Sequence, residues 1–430
     1  MLNTLNDVLN NVDNFIWGMP LIILILFTGI LLTVRLRGLQ IRHLGKALHY
    51  VFHNEDDGEG EVTSFGALCT ALSATIGTGN IVGCATAIVA GGPGALFWMW
   101  LAAFFGMATK YAEGMLAVKY RVIAEDGHTL GGPFYYIEKG MGKNFKWLAK
   151  LFCVFGTMVG LFGIGTFTQV NGITSAVNNF FDPSNVHTIS LFGMNYSISV
   201  VVAGIIVTIC AGLVIIGGIK RISKVSEVIV PFMAVTYIGV CLIIVFTHLP
   251  QVPAAFAEIV QSAFGLKAVA GGAIGAMTVA MQKGIARGIF SNEAGLGSAP
   301  IAAAAAQTNE PVRQGLVSMT GTFIDTIIVC TMTGLAIVMT GAWDMGLEGV
   351  AVTTKAFALG LPFPAKASAF VLMMCLVFFA FTTILGWAYY SERCLEYLVN
   401  GKKFVITAFK WFYILAVFIG PFMTVSAVWT

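Results

Sequence analysis

Charge is what these 430 residues have least of: Lys, Arg, Asp and Glu make up 10% of the chain, against 57% hydrophobic residues and a mean hydropathy of +0.84. That balance excludes a water-soluble globular domain, a disordered chain and a basic nucleic-acid-binding protein, and places the sequence among polytopic membrane proteins. The net charge of +3 says little alone, because a membrane protein is oriented by where Lys and Arg fall. Histidine is scarce at six, all in or beside polar loops (43, 49, 53, 128, 187 and 248), which argues against a histidine proton relay across the membrane. The eight cysteines stand singly, mostly in apolar segments and with no CxxC pair. They read as reduced small hydrophobes rather than disulfides or metal ligands. HExxH, a nucleophile elbow and a convergent acidic pair are missing, so a membrane-embedded enzyme has no catalytic groups to use. Nor is there a repeated filter or a ring of like charges to build a channel.

What is present is a series of long uncharged runs. Residues 14–34 are long enough to cross a hydrocarbon core of about 30 Å at about 1.5 Å per residue. An acidic, Asn-rich flank precedes them and Arg35 and Arg37 follow, the pattern of a stop-transfer helix and not of a cleaved signal. The charge-free run 62–109 has room for two spans turned at Gly91, Gly92, Pro93 and Gly94. Further spans are expected over 151–178, 197–218, 225–248, 264–290, 314–341, 367–391 and 405–428, ten in all. With the N-terminus outside, every one of the 24 Lys and Arg except Lys267, Lys355 and Lys366 falls in a cytoplasmic segment, Lys110, Lys283, Arg287 and Arg313 among them. The positive-inside rule supports that count and that orientation. Residues 131–150 mix aromatics with lysines and read as an amphipathic element on the inner surface.

Two spans carry glycines where an interruption is costly. SATIGTGNIVGCATAIVAGGPG, residues 73–94, has glycine at 77, 79, 83, 91, 92 and 94; the seventh span has only 15 uncharged residues, 268–282, with Gly271, Gly272 and Gly275 among them. In hydrocarbon each unpaired N–H or C=O costs several kcal/mol, so a broken helix persists only where protein or a polar cavity satisfies the freed groups. Close packing through small residues explains Gly83 alone. GTGN matched by GGAIG five helices later points instead to an inverted-repeat secondary transporter with its site near the bilayer midplane.

Chemistry then assigns candidates. The half-helix after the first break offers the N–H groups of Gly79, Asn80 and Ile81, with the positive end of its dipole, to a carboxylate. Carbonyls around Ser73, Thr75 and Ile76 have lost helical partners and suit a substrate ammonium or a sodium ion. Gly77, Thr78 and Gly79 let backbone meet substrate, and a side chain at Gly79 would block that approach. On the seventh span Gly272, Ala273, Ala276, Met277 and Gln282 flank the expected second break; the small residues leave room, and Met277 limits the pocket to a small side chain. Phe167 and Gln169, in GIGTFTQVNG, are candidates to cap the pocket and to supply a polar contact, the aromatic being equally explained by packing. Asp325 lies 11 residues beyond Gln314, about 16 Å along a helix and half of a roughly 30 Å core. A carboxyl at that depth is costly unless it faces a cavity, pairs or stays protonated, so Asp325 is a candidate for the cation path or a neutral structural acid. Arg287, Asn292 and Glu293 read as cytoplasmic structure or a gate rather than as substrate ligands.

SATIGTGNIVGCATAIVAGGPGALFWMW together with GIARGIFSNEAGLGSAP resembles the signatures of the alanine or glycine:cation symporters, and the resemblance extends over essentially the whole chain. It implies cotransport of alanine or glycine with sodium across the cell membrane, and an all-α fold of leucine-transporter type. In that fold an extra N-terminal helix, in 1–40, precedes a five-helix repeat, 62–248, broken at 77–80, and an inverted second repeat, 260–430, broken near 271–276. Such proteins carry an eleventh helix, whereas this sequence stops at SAVWT with the tenth. Either the C-terminus has been truncated or the second repeat is incomplete, and the first is the expectation, because five helices are needed to complete the repeat. The resemblance also matches Thr382 and Thr383, with Phe379 one turn before them, to the hydroxyls that complete a sodium site against the second helix beside Ser73 and Ile76. Hydroxyls bonded back to the preceding turn are the alternative reading of that pair. Proton coupling on the same fold is the alternative to sodium.

Overall fold

The computed structural model describes residues 18–53, 58–124, 127–191, 194–266 and 272–423. Residues 14–17 of the first expected span, Lys267, Gly271 and the stretch from 424 onward lie outside the described residues. A chain so poor in charge folds as helices because these satisfy backbone N–H and C=O groups within the segment itself. Among them, in order, are α1 Met19–Arg35, α2 Ser64–Thr75, α3 Gly79–Gly91, α4 Gly94–Lys119, α5 Lys146–Phe162, α6 Phe167–Phe181, α7 Ile198–Ile215, α8 Gly218–Thr247, α9 Val252–Ala263, α10 Ala273–Asn292, α11 Ala299–Ala303, α12 Pro311–Thr340, α13 Val350–Gly360, α14 Ala365–Leu398 and α15 Lys403–Ile419, with shorter helices Leu39–Arg42, Leu44–Phe52 and Pro133–Tyr136 in the connections. Two small antiparallel hairpins, Val122–Ile123 with Thr129–Leu130 and Thr188–Leu191 with Met194–Ser197, sit in loops.

Each of the ten expected stretches carries helix, but they are not equal. Among the described residues six segments are long and apolar enough to cross a membrane, and α2 with α3, bent by 52° at the break, makes a seventh. α1 is apolar but has 17 residues. α4 has 26 residues and α10 has 20, with Lys110, Glu113 and Lys119 on the first and Lys283 and Arg287 on the second. Large apolar side chains such as Phe27, Phe232, Phe404 and Trp411 lie exposed on the outside of the bundle, the surface a bilayer covers.

Glycines set how the inner helices lie. α4 and α10 run side by side in the same direction: a Cβ built on Gly284 would sit 2.2 Å from the Ala95 carbonyl oxygen, one on Gly288 3.3 Å from Met99 Cα, and one on Gly106 2.9 Å from Ala294 Cβ. α3 runs against α10, since Gly79 faces Phe290 and Ser291 while Gly91 faces Ala280 and Lys283. This geometry corrects two expectations. Lys283 lies at the Gly91 end of the bundle, opposite to Arg313, and does not share a side with it. The seventh span is also not interrupted at 273–276: α10 is continuous through Gly275, and the chain breaks at its other end, where Glu293 is left-handed (φ 55°) and Gly295 and Gly297 have φ of 90° and 78° before α11. The charge-free window hid this, because Glu293 made the true interruption look like a loop outside the bilayer.

At the far end of α4 one side chain ties several segments. The Arg121 guanidinium donates to the carbonyls of Glu59, Ala304, Ala306 and Thr308 at 2.6–3.0 Å. Beside it Val62 pairs in parallel with Ala306.

Candidate functional site

The site begins where α2 stops. Ile76 is extended (φ −77°, ψ 93°), and the chain resumes as α3, whose opening turn, Gly79–Gly83, is a π-helix. The first N–H groups of the restarted helix have no acceptor within it. That of Gly77 is taken by Asn80 Oδ1 at 2.9 Å, and the Asn80 amide in turn donates to Asp325 Oδ1 at 2.7 Å and to the Asp325 carbonyl at 3.2 Å. Asp325 also accepts from Ser291 Oγ at 2.8 Å and Thr326 Oγ1 at 2.7 Å. It sits in a second π-helical stretch, Phe323–Cys330 within α12, so two widened turns, a form often found at functional sites, face each other through one asparagine. Asn80, Asp325 and Thr326 are fully buried.

On its other side the break meets α14 and α6. A Cβ on Gly77 would lie 2.5 Å from Thr383 Oγ1 and 3.6 Å from Gln169 Oε1, so the glycine that close approach requires is Gly77. At Gly79 the nearest atom would be 3.5 Å away, on Ser291, which leaves room for a methyl group. Gln169 Nε2 donates to the Ile164 carbonyl at 3.1 Å, and its Oε1, buried beside the break, has no partner among the described residues. The Thr78 hydroxyl, equally buried, also has none. Phe167 is half-buried at the start of α6 and packs on Phe162 with ring centroids 6.0 Å apart.

The two threonines part company. Both hydroxyls donate back to the Phe379 carbonyl at 3.0 Å, as the alternative reading of the pair foresaw. Thr383 lies against Gly77, whereas Thr382 is turned toward Met233 on α8, with its oxygen 3.5 Å from the sulfur. Ser73 donates to the Thr70 carbonyl at 2.7 Å and abuts Gly386; Thr75 bonds back to Ala71 at 3.2 Å. Ser73, Ile76, Gly77, Gln169, Phe379 and Thr383 thus gather at the break, and Asp325 joins them through Asn80.

The candidates on the seventh span do not gather there. Ala276 precedes Ser291, the residue facing Gly79, by 15 positions, about 22 Å along the helix. Gly272 and Ala276 are exposed, and Ala273, Met277 and Gln282 half-buried. The residues that α10 does bring to the break are Phe290, Ser291 and Asn292, the last donating to Thr326 Oγ1 at 3.0 Å. Ser291, Thr326 and Cys330 carry no signal in a hydropathy reading. Lys110 carried a misleading one: counted as the start of a cytoplasmic segment, it is buried on α4 at 3% exposure, as is Glu113 one turn on at 8%.

Comparison with known proteins gives this arrangement its family. The model of the sodium:alanine symporter family matches residues 2–430. The chain is 44% identical over 431 residues to the sodium/alanine symporter AgcS of Methanococcus maripaludis, covering 98% of this chain and 90% of that protein. It is 55% identical over 428 residues to an uncharacterized transporter of Haemophilus influenzae (99% and 89% covered) and 36% over 402 residues to the amino-acid carrier protein AlsT of Bacillus subtilis (93% and 80%). The chain, with its broken helix partnered by buried polar groups, thus belongs to the sodium:alanine symporter family, a family of multi-pass membrane transporters and not of enzymes.

Proposed function

We propose that the chain couples uptake of a small neutral amino acid, alanine or glycine, to the sodium gradient by alternating access across the cell membrane, with its N-terminus outside. Ten spans are used, α1 followed by two inverted repeats in 62–248 and 260–430. The observation that carries this reading is the break at Gly77–Asn80, closed onto Thr383 and the unpartnered Gln169 oxygen. A zwitterion fits such a break from both sides. Its carboxylate takes the N–H groups of Gly79, Asn80 and Ile81 at the positive end of α3, and its ammonium takes carbonyls around Thr75 and the Gln169 oxygen. Phe167 and Thr78 bound the pocket. Sodium, which prefers hard oxygen ligands, takes the carbonyls of Ser73, Ile76 and Phe379 with the hydroxyl of Thr383, and Asp325 supplies negative charge through Asn80; Thr382, turned toward Met233, is left out of this set. AgcS, by its name, carries sodium and alanine, which agrees with this assignment.

Uptake of labelled alanine and glycine into proteoliposomes, with sodium and proton gradients imposed separately, tests it. Accumulation driven by the sodium gradient is the expected result. Accumulation driven only by protons would transfer the coupling to the proton, and accumulation driven by neither would end the symport reading.

A further inference from the structure

Below the break the bundle holds charges that the proposed substrate and sodium sites leave unused. Lys110 and Glu113 lie one turn apart on α4 and are more than nine-tenths buried. Glu113 Oε1 accepts the Gly297 N–H at 3.2 Å, and Glu293, buried at the end of α10, accepts from Ser298 Oγ. Neither Lys110 Nζ nor the buried Gln314 Oε1 has a hydrogen-bond partner among the described residues. Lys110 and Gln314 line a narrow internal cavity that reaches Thr75 at the break past Asn292 and Ser318; it has room for about one water molecule.

An ammonium and an amide oxygen without hydrogen-bond partners are expensive to bury. A ligand that answers both carries a carboxylate and an ammonium on one small frame. A bare anion does not, because Glu293 and Asp325, each already hydrogen-bonded, also act on the Lys110 ammonium. We propose that Lys110 and Gln314, which both line this cavity, form a second, inner station for the substrate zwitterion, reached from Thr75 when the cavity widens: Lys110 receives the carboxylate and Gln314 Oε1 the ammonium. The inference rests on the symport reading and adds a residue-level release path to it.

Removing an inner station has a directional signature. In Lys110→Met, influx should keep the wild-type KM for alanine while its Vmax falls about tenfold or more, and efflux from preloaded vesicles should keep its Vmax while its KM rises by the same factor; that is the effect of losing one charge-assisted hydrogen bond. Lys110→Arg should restore most of both. Ala71→Leu, which fills the cavity and keeps the charges, should lower influx Vmax with sodium-dependent alanine binding unchanged, and it covers the case in which Lys110→Met does not fold. Wild-type kinetics in Lys110→Met, or KM raised equally from both sides, would overturn the proposal. So would wild-type influx through Ala71→Leu. A wild-type protein that transports alanine in neither direction would instead overturn the symport reading on which it stands.

Discussion

Gly77 and Gly79 stand two residues apart and answer to different neighbours. A methyl group at Gly77 runs into Thr383 Oγ1, 2.5 Å away, whereas at Gly79 it makes ordinary contact with Ser291 at 3.5 Å. Gly77→Ala should therefore cost about 1–3 kcal/mol as an overpacked site, read as a lower melting temperature in detergent, and Thr383→Ala should recover much of it. Gly79→Ala should melt like the wild type. Failure of Thr383→Ala to recover any stability would show that the contact is relieved elsewhere. Asp325 invites a second substitution. Its two oxygens accept three side-chain donors, so Asp325→Asn removes the charge and keeps an oxygen for the Asn80 amide. The change makes the Ser291 and Thr326 hydroxyls turn from donors to acceptors of an N–H₂, at a cost of about 1–3 kcal/mol for a bond left unmade. We expect sodium-driven uptake to fall at least tenfold; uptake with an unchanged sodium dependence would make Asp325 a structural acid. The break itself was legible in GTGN, because glycine and asparagine clustered in a charge-free run have few uses in a membrane helix. Which glycine bears the close contact was not, because that depends on Thr383, more than 300 positions away.

At the level of elements, the instructive case is α10. Glycine count and absence of charge together pointed to an interruption at 271–276, yet α10 is continuous from Ala273 and the chain turns at Glu293–Gly297. Glycine marks either a break or a tight helix contact, and only the neighbours tell which. Gly284 and Gly288 pack against the α4 backbone, while a Cβ on Gly275 would meet nothing within 4 Å. Gly275→Ala should consequently stabilise the protein by up to about 1 kcal/mol through helix propensity and leave transport untouched. Gly284→Ala, aimed at the Ala95 carbonyl 2.2 Å away, should destabilise it and lower the yield of folded protein. Thermal melts of the two variants side by side decide between a helix and a break at 275. The long uncharged runs were legible as helices, since they have few other ways to satisfy their backbone, whereas the shorter α9 and α13 and the division of 151–178 into α5 and α6 were not. Lys110 and Glu113 escaped because a charge was taken as the end of a span, whereas α4 continues past them to Lys119.

Across the whole molecule, distant segments meet at the end where α4 stops. His128 Nδ1 lies 2.9 Å from Glu61 Oε1 and its Nε2 3.6 Å from Glu396 Oε2, and Arg393 holds Glu396 at 2.6 Å. The strand leading into α2, the hairpin after α4 and the end of α14 are thereby linked. Burial pushes the Glu61 carboxyl up, but the His128 hydrogen bond, the Thr129 N–H and the charges of His128 and Arg393 outweigh it and hold it below the ordinary carboxylate range. A carboxyl depressed in the folded state stabilises fully above its unfolded pKa of about 4.3, and that stability is lost as pH falls through the folded value. Glu61→Gln should lower the melting temperature at neutral pH and flatten its decline on the acid side; an equally steep decline in the variant would place the acid sensitivity elsewhere. Arg121, at the same end, carries a consequence for how the chain is made. Its guanidinium bonds Glu59, 62 positions earlier, but the carbonyls of Ala304, Ala306 and Thr308 lie 183–187 positions later. When the ribosome has finished the first half, three of these four acceptors do not yet exist, and the strand bearing Val62 has no Ala306 to pair with. The early helices must wait in the bilayer for late ones before this corner can close, so a nascent chain halted ahead of residue 304 leaves an open seam for chaperones and proteases to find.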